Sequence, residues 1–239
     1  MALFEYMRRT QRILRDQRVQ LIAPTDLIAF INEARGQIAG EAECVLAVGS
    51  LAVTSASQVY PFSAVTFASG IAGALNVRTL WRVVATTGKT WMVPRPWPWF
   101  SLYYLTTPQI TPAAPKIWAQ YGQGAAGSVY VSPIPDANYT LSVDAMCYPN
   151  RLATDSDVEV VPYLWTDAIA YYAAYLAMMA MQTGGGTRES DGMYKRYQEY
   201  VARARMAANP SIMPSNYAHS QPMPSNQLGG GTAPPQGGQ

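Results

Sequence analysis

The sequence predicts an α+β chain: a four-helix bundle with a small β-barrel or sandwich module inserted between helices 2 and 3, followed by an extended C-terminal arm. Three observations carry that prediction. Apolar residues recur with the 3.6-residue helical period near both ends of the chain, over 25–44 and 163–208. Between them the pattern changes to short alternating runs punctuated by Gly and Pro, as in small all-β modules. The last 30 residues carry no charged side chain and hold six Pro and five Gly. The boundaries that follow are 1–45 for the first two helices, 46–150 for the β module, 151–208 for the last two helices and 209–239 for the arm.

In the first helix Leu3, Phe4, Met7 and Leu14 form an apolar face, with Arg8, Arg12 and Arg15 recurring on the other. Ala23-Pro24 breaks it. Thr25 then reads as an N-cap with Asp26 in the first turn, and Leu27, Ile28, Ile31, Ala34 and Ile38 carry the second helix to near Cys44. Residues 80–84 lead through Thr86-Thr87-Gly88-Lys89 into Trp91-Met92-Val93, a hairpin with glycine at its turn. Pro94, Pro96 and Pro98 are expected to interrupt any ladder, because proline donates no N–H. Residues 100–105, 116–121 and 128–131 read as further short strands. From 138 to 147 the alternation is clean, with Tyr139, Leu141, Val143, Ala145 and Cys147 on one face. Pro162 suits the first turn of the third helix. There Trp165, Ile169, Tyr172, Ala173, Leu176, Met179 and Ala180 cover most of the circumference, which makes it the central helix. Gly184-Gly185-Gly186 ends it. The fourth helix, 189–208, is amphipathic, with Lys195, Arg196, Arg203 and Arg205 outward.

Charge is scarce. Of 239 residues 13% are charged, 17 bases against 15 acids, where soluble domains carry about 25%. Charge keeps a solvent-facing surface from associating, so the shortage points to a surface covered by neighbours. Residues 44–135 hold no acid and five bases, whereas 136–209 hold nine acids and six bases. The two cysteines, Cys44 and Cys147, form no CxxC pair and read as reduced core thiols, with a disulfide as the alternative. The N-terminal stretch has no apolar core of the secretory kind, and the longest uncharged helical run, 15 residues over 168–182, falls short of the ~20 that cross a bilayer. No membrane partner is expected.

The chain is poor in catalytic groups. Its single histidine, His219, lies in the arm with no acid beside it, so a histidine-based triad and a His/Cys metal site both lack residues. Gly88-Lys89-Thr90 resembles the end of a P-loop, but Val83 occupies the position where the first glycine is required. No cofactor and no catalytic residue are expected. Asp155, Asp157 and Glu159 cluster ahead of the third helix; they read as capping carboxylates, with a glycosidase-type pair as the alternative. The bases of the acid-free stretch, Arg78, Arg82, Lys89, Arg95 and Lys116, read either as part of a module poor in charge for packing reasons or as a surface facing phosphate or an acidic protein. The Arg8, Arg12, Arg15 stripe is likewise a solvated face or a binding stripe. In the arm, Ile212, Met213, Tyr217, Met223 and Leu228 stud an uncharged, Pro-rich segment. It is an extended peptide that orders on a partner or a loose end, and a disordered tip from Gly229 onward.

Two stretches resemble the head-to-tail adaptor (connector) proteins of tailed bacteriophages, podovirus-like. Asp26-Leu27-Ile28-Ala29-Phe30-Ile31-Asn32-Glu33-Ala34-Arg35 is similar to that family's second helix. Ser132-Pro133-Ile134-Pro135-Asp136, with the strand after it, is similar to the family's Pro-x-Pro-Asp turn. The likeness runs on through Tyr148-Pro149, Leu152, Asp155-Ser156-Asp157 and Val161-Pro162 into an Ala/Tyr-rich helix. The resemblance implies a non-enzymatic virion subunit, assembled in the host cytoplasm into a ring of commonly twelve copies between portal and tail or nozzle proteins. It further implies that double-stranded DNA passes through the ring's lumen without sequence specificity. By position in the arm, the resemblance assigns Ile212, Met213, Tyr217 and Met223 to the portal, and Arg8, Arg12, Arg15, Arg78, Arg82, Lys89 and Arg95 become candidate interface or DNA-facing bases. The competing expectations are another tail ring, such as a tail terminator or nozzle subunit, and a cell-wall hydrolase built on Asp155, Asp157 or Glu159.

Overall fold

Helices at both ends and strands between them are what the computed structural model shows; it describes residues 2–15, 22–84, 88–105, 111–181 and 188–208. Helices α1 (Leu3–Ile13) and α2 (Pro24–Ala42) come first, a short α3 (Trp97–Phe100) falls among the strands, and α4 (Thr166–Met181) and α5 (Arg188–Ala208) follow. The α+β class is therefore correct. Met1–Ala208 forms one compact unit. The arm, with Ile212, Met213, Tyr217, His219 and Met223, lies outside the described residues, as do Gly184-Gly185-Gly186 and Thr86-Thr87.

Helix α1 buries Leu3, Tyr6 and Thr10, while Phe4 is 55% exposed. The buried stripe thus differs from the apolar one read from sequence. Tyr6 contributes a ring, and the Thr10 hydroxyl is satisfied inside by donating to the Tyr6 carbonyl (2.9 Å), whereas the Tyr6 hydroxyl is buried without a hydrogen-bond partner among the described residues. In α2 the expected cap at Thr25 is replaced by Pro24 at the first helical position, with Ala23 before it. Proline has no N–H to leave unpaired there. Leu27, Ile31, Ala34, Ile38 and Ala42 face the core, and Arg35 goes in with them. At the other end of α2 the Glu41 carbonyl accepts from Arg205 Nε (3.0 Å) and Nη2 (2.7 Å) of α5, a cation satisfying an orphan helix carbonyl.

Helix α4 packs against α1, α2 and α5, the central place its sequence predicts. It buries Ala168, Ile169, Ala170, Ala173, Ala174 and Ala177, whereas Met179 is 39% exposed and Tyr172 and Leu176 are half-buried. Close approach of helices on three sides selects small side chains over the bulky ones that periodicity favours. The larger residues turn to the α5 side, where Tyr172 packs against Tyr197 at 4.5 Å and Tyr171 against Tyr200 at 6.1 Å between ring centroids.

The strands are β1 (Leu46–Val53), β2 (Val59–Pro61), β3 (Val65–Thr66), β4 (Ile71–Val84), β5 (Gly88–Trp91), β6 (Val93–Pro94), β7 (Ile117–Tyr121), β8 (Ser128–Ser132) and β9 (Tyr139–Pro149). They form two sheets, in the orders β3-β1-β9-β4-β5 and β2-β8-β7-β6. Among the described residues neither sheet closes into a barrel. One continuous core joins Leu51, Leu80, Leu141 and Val143 of the first sheet to Trp118, Val129 and Val131 of the second. Strand β9 keeps its predicted face: Leu141, Val143, Ala145 and Cys147 are all buried. The β4–β5 hairpin pairs Trp81 with Trp91 and Val84 with Gly88, which sits at φ +81° where glycine is favoured.

Two strand assignments need correction. Strand β4 has 14 residues and extends back to Ile71, because register shifts at Ile71/Gly73, Ala74/Asn76 and Val77/Thr79 scramble the two-residue period that reveals a strand. Residues 100–105 are not a strand: α3 runs into a π-helical turn, Ser101–Leu105. Pro98 sits in the first turn of α3, the Phe100 N–H donates to the Pro96 carbonyl (3.0 Å), and the Phe100 ring is fully buried. Tertiary anchoring overrides the β preference of the aromatic residues. Nor does Pro94 interrupt the ladder: Val93 N–H donates to the Lys116 carbonyl and Arg95 N–H to that of Trp118, both at 2.8 Å, so the parallel β6–β7 pairing passes over the proline. Cys44 and Cys147 are both free and buried. Burial pushes their thiols up, to about 11 and about 12, which leaves them unreactive.

Candidate functional site

The carboxylate cluster lies in segment 150–161, between β9 and α4. Asp155 Oδ1 accepts the Phe4 N–H of α1 (2.6 Å), supplying a cap that Ala2 cannot. Asp157 Oδ2 accepts the N–H groups of Thr154 (2.7 Å) and Ala153 (2.6 Å), and these bonds hold its carboxyl below the usual range. Glu159 makes a bidentate pair with Arg35 of α2, Oε2 to Nε at 2.9 Å and Oε1 to Nη2 at 3.0 Å, with the two side chains only 5% and 1% exposed. Glu159 Oε1 also accepts the Val161 N–H (2.8 Å). The buried Tyr6 hydroxyl lies near this pair, its pKa raised by burial and then by the Glu159 charge.

Arg35 and Asn32 complete a clamp. Arg35 Nη1 donates to the Asn150 carbonyl and to Asn32 Oδ1. Asn32 bonds Leu152 in both directions, donating to its carbonyl (2.9 Å) and accepting its N–H (2.8 Å). The two sequence stretches that resembled one family therefore meet in space, the helix of the first gripping the segment of the second. All three carboxylates are engaged in holding backbone or a buried cation, which is a structural arrangement and leaves the glycosidase-type alternative without a free acid–base pair. The signal for the clamp was present: Arg35 falls on the apolar stripe of α2 between Ile31 and Ile38, and a buried arginine needs a buried acid. Replacing the α1 cap, Asp155→Ala, is expected to destabilise by about 1 kcal/mol. The check is the urea midpoint at unchanged m value, and an unmoved midpoint would show that the cap contributes nothing.

The predicted bases fall into separate groups. Arg8, Arg12 and Arg15 lie exposed along α1 and just past its end, with the Arg8 guanidinium 5.9 Å from the Phe4 ring centre. Arg9, which the sequence reading passed over, pairs with Asp167 of α4. Arg82 and Lys89 come together at the β4–β5 hairpin: Arg82 lies 5.5 Å over the Tyr139 ring and Lys89 Nζ donates to Ser142 Oγ (3.0 Å). Arg78 is half-buried at a β4 register shift, and Arg95 stacks 4.8 Å over Trp99, on the other sheet. The stripe thus lies on α1, Arg82 and Lys89 on the β4–β5 hairpin, and Arg95 just past β6 of the second sheet.

The sequence reading also missed an aromatic knob. Phe100 and Trp97 anchor it, Trp97 lying 4.5 Å from Tyr130 and 4.7 Å from Tyr121 between ring centroids. Tyr103, beside Trp99, then stands 53% exposed, and Leu105 further on is 42% exposed. Aromatic residues in a Pro-rich run were the available signal, hidden by the strand assignment. Among the described residues no group of three His, Cys, Asp or Glu could hold a metal ion, and no helix is long and apolar enough to cross a membrane.

Comparison with curated proteins finds no match. A family model described as SU10 adaptor protein matches residues 1–217, from α1 past the end of α5 and into the arm as far as Tyr217. That span takes in every described element, and it shows that the chain belongs to the SU10 adaptor protein family, a structural family of phage head-to-tail adaptors.

Proposed function

We propose that the protein is one subunit of a twelve-membered ring in the virion neck that joins the portal to the tail or nozzle proteins and lets double-stranded DNA pass. The observation that carries this reading is the reach of the family match, which extends beyond α5 over Ile212, Met213 and Tyr217. In this reading α1, α2, α4 and α5 act as a bundle that carries the β module, and the arm binds the portal. An uncharged, Pro-rich peptide with spaced apolar anchors suits that role: Ile212, Met213, Tyr217 and Met223 enter pockets while the prolines limit the entropy lost on ordering. The low charge of the chain suits subunits covered on both flanks.

Among the bases, Arg82, Lys89 and Arg95 already contact Tyr139, Ser142 and Trp99. Arg78 is half-buried. The α1 stripe of Arg8, Arg12 and Arg15 is exposed along one helix, which makes it a set available to phosphate or an acidic partner. A few widely spaced cations in a lumen attract the duplex without holding it, since each phosphate contact adds salt-dependent, sequence-independent affinity.

Light scattering of the protein, alone and mixed with its portal, tests the ring, and truncation after Ala208 tests the arm. The full chain is expected to reach the mass of a closed ring on the portal. The truncated chain is expected to unfold at the same temperature yet fail to join portal and tail. Equal joining by the truncated chain overturns the arm assignment, and a parent chain indifferent to portal overturns the whole reading.

A further inference from the structure

The aromatic knob has chemistry that the adaptor reading leaves unused, and the same chain carries a groove that complements it. The knob is preorganised. Phe100 is buried beneath it, Trp97 is held between Tyr121 and Tyr130, and Trp99 sits against Tyr103 at 5.1 Å between ring centroids with Arg95 stacked over it. Trp, Tyr and Arg are the residue types that dominate binding hot spots, and a turn already fixed loses little entropy on docking. The exposed bases Arg95 and Lys116 flank the knob, and no acid occurs anywhere in 44–135.

The groove lies on α2. It is a cavity of about 530 Å³ lined by Thr25, Ile28, Ala29, Asn32, Glu33 and Arg151. Ile28 and Ala29 supply an apolar floor, Glu33 an acid that no cation pairs within salt-bridge distance among the described residues, and Arg151 a base elsewhere on the rim. All 15 acids of the chain lie before residue 44 or after 135, so the charge that the knob lacks is present on the helical part of another copy.

Resting on the ring reading, we propose that the knob of one copy docks in the α2 groove of the next, Tyr103 against Ile28 and Ala29 and Arg95 facing Glu33. Knob and groove are different surfaces of one chain, so the contact is head-to-tail, the kind that closes into a ring when the rotation permits. Duplex DNA is the poorer occupant. Its bases are stacked and unavailable to the rings, and two flanking cations are few for tracking phosphates.

Charge exchange across the contact tests it, in the full-length protein alone and on its portal. Arg95→Glu and Glu33→Arg are each expected to weaken self-association about tenfold, as reversal of one partner of an interfacial charge pair does. The double variant, which restores opposite charges in every contact, is expected to recover most of it. Unfolding midpoints of all three variants serve as the folding control. Single variants that assemble like the parent, or a double variant no better than the singles, overturn the contact while leaving the ring intact. A parent that never self-associates overturns both. Loss of binding to a short DNA duplex by Arg95→Glu, with self-association unchanged, assigns the knob to DNA and also overturns the proposal.

Discussion

Glu159→Gln is expected to destabilise the protein by about 3 to 5 kcal/mol, the range for removing one partner of a buried ion pair. The Arg35 and Glu159 side chains are 1% and 5% exposed, so water cannot replace the lost charge. Glutamine keeps the shape but presents an amide where the arginine fork needs a carboxylate, and it leaves a guanidinium uncompensated. The damage extends beyond the pair, because Arg35 also holds the Asn150 carbonyl and Glu159 the Val161 N–H. Both ends of the segment joining β9 to α4 depend on it. Urea unfolding measures the effect, and a loss below about 1 kcal/mol would mean that the pair is not desolvated in solution. Replacing both partners, Arg35→Met with Glu159→Leu, is expected to recover part of the loss, since no charge then remains buried. Recovery stays incomplete because the Asn150 carbonyl loses its donor.

Phe100→Ala is expected to have an effect of similar size, about 3 to 5 kcal/mol. The ring is fully buried and lies among Trp97, Tyr104 and Tyr130, at centroid distances of 6.4, 5.3 and 6.3 Å. Its loss leaves a cavity under a short helix that propensity alone does not sustain, so the turn loses the feature that fixes Trp99 and Tyr103. Hydrogen exchange over 97–105 is expected to accelerate more than exchange in α2 or α4. Uniform acceleration would mean that the ring supports the whole core and not the knob. Tyr103→Ala, at a side chain 53% exposed, is expected to leave the unfolding midpoint nearly unchanged. The pair of variants thus separates presentation of the knob from its contact surface.

What the sequence determined by itself is the set of features encoded by local period. Strand β9 alternates because one face meets the core and the other does not, and α2 and α5 show a helical stripe for the same reason. The division into helices, strands, helices and an uncharged end follows from these periods together with the distribution of charge. Burial on one side of a regular element repeats every two or 3.6 residues, so it is written into neighbouring positions and needs no knowledge of what lies opposite.

Only the tertiary structure decided the rest, because it depends on residues far apart in the chain. Arg35 falls on the apolar stripe of α2, but that its partner is Glu159, 124 positions later, is decided only by the fold. The alanines of α4 are buried, and its larger residues displaced, because three helices approach it at once. The part of β4 before residue 80 hides in the sequence because its three register shifts erase the alternation that marks a strand. Residues 97–105 have the aromatic content of a strand, yet they are helical because Phe100 and Trp97 pack onto Tyr130 of β8. In each case the deciding free energy comes from a partner brought near by folding, and such a partner leaves no period in the local sequence.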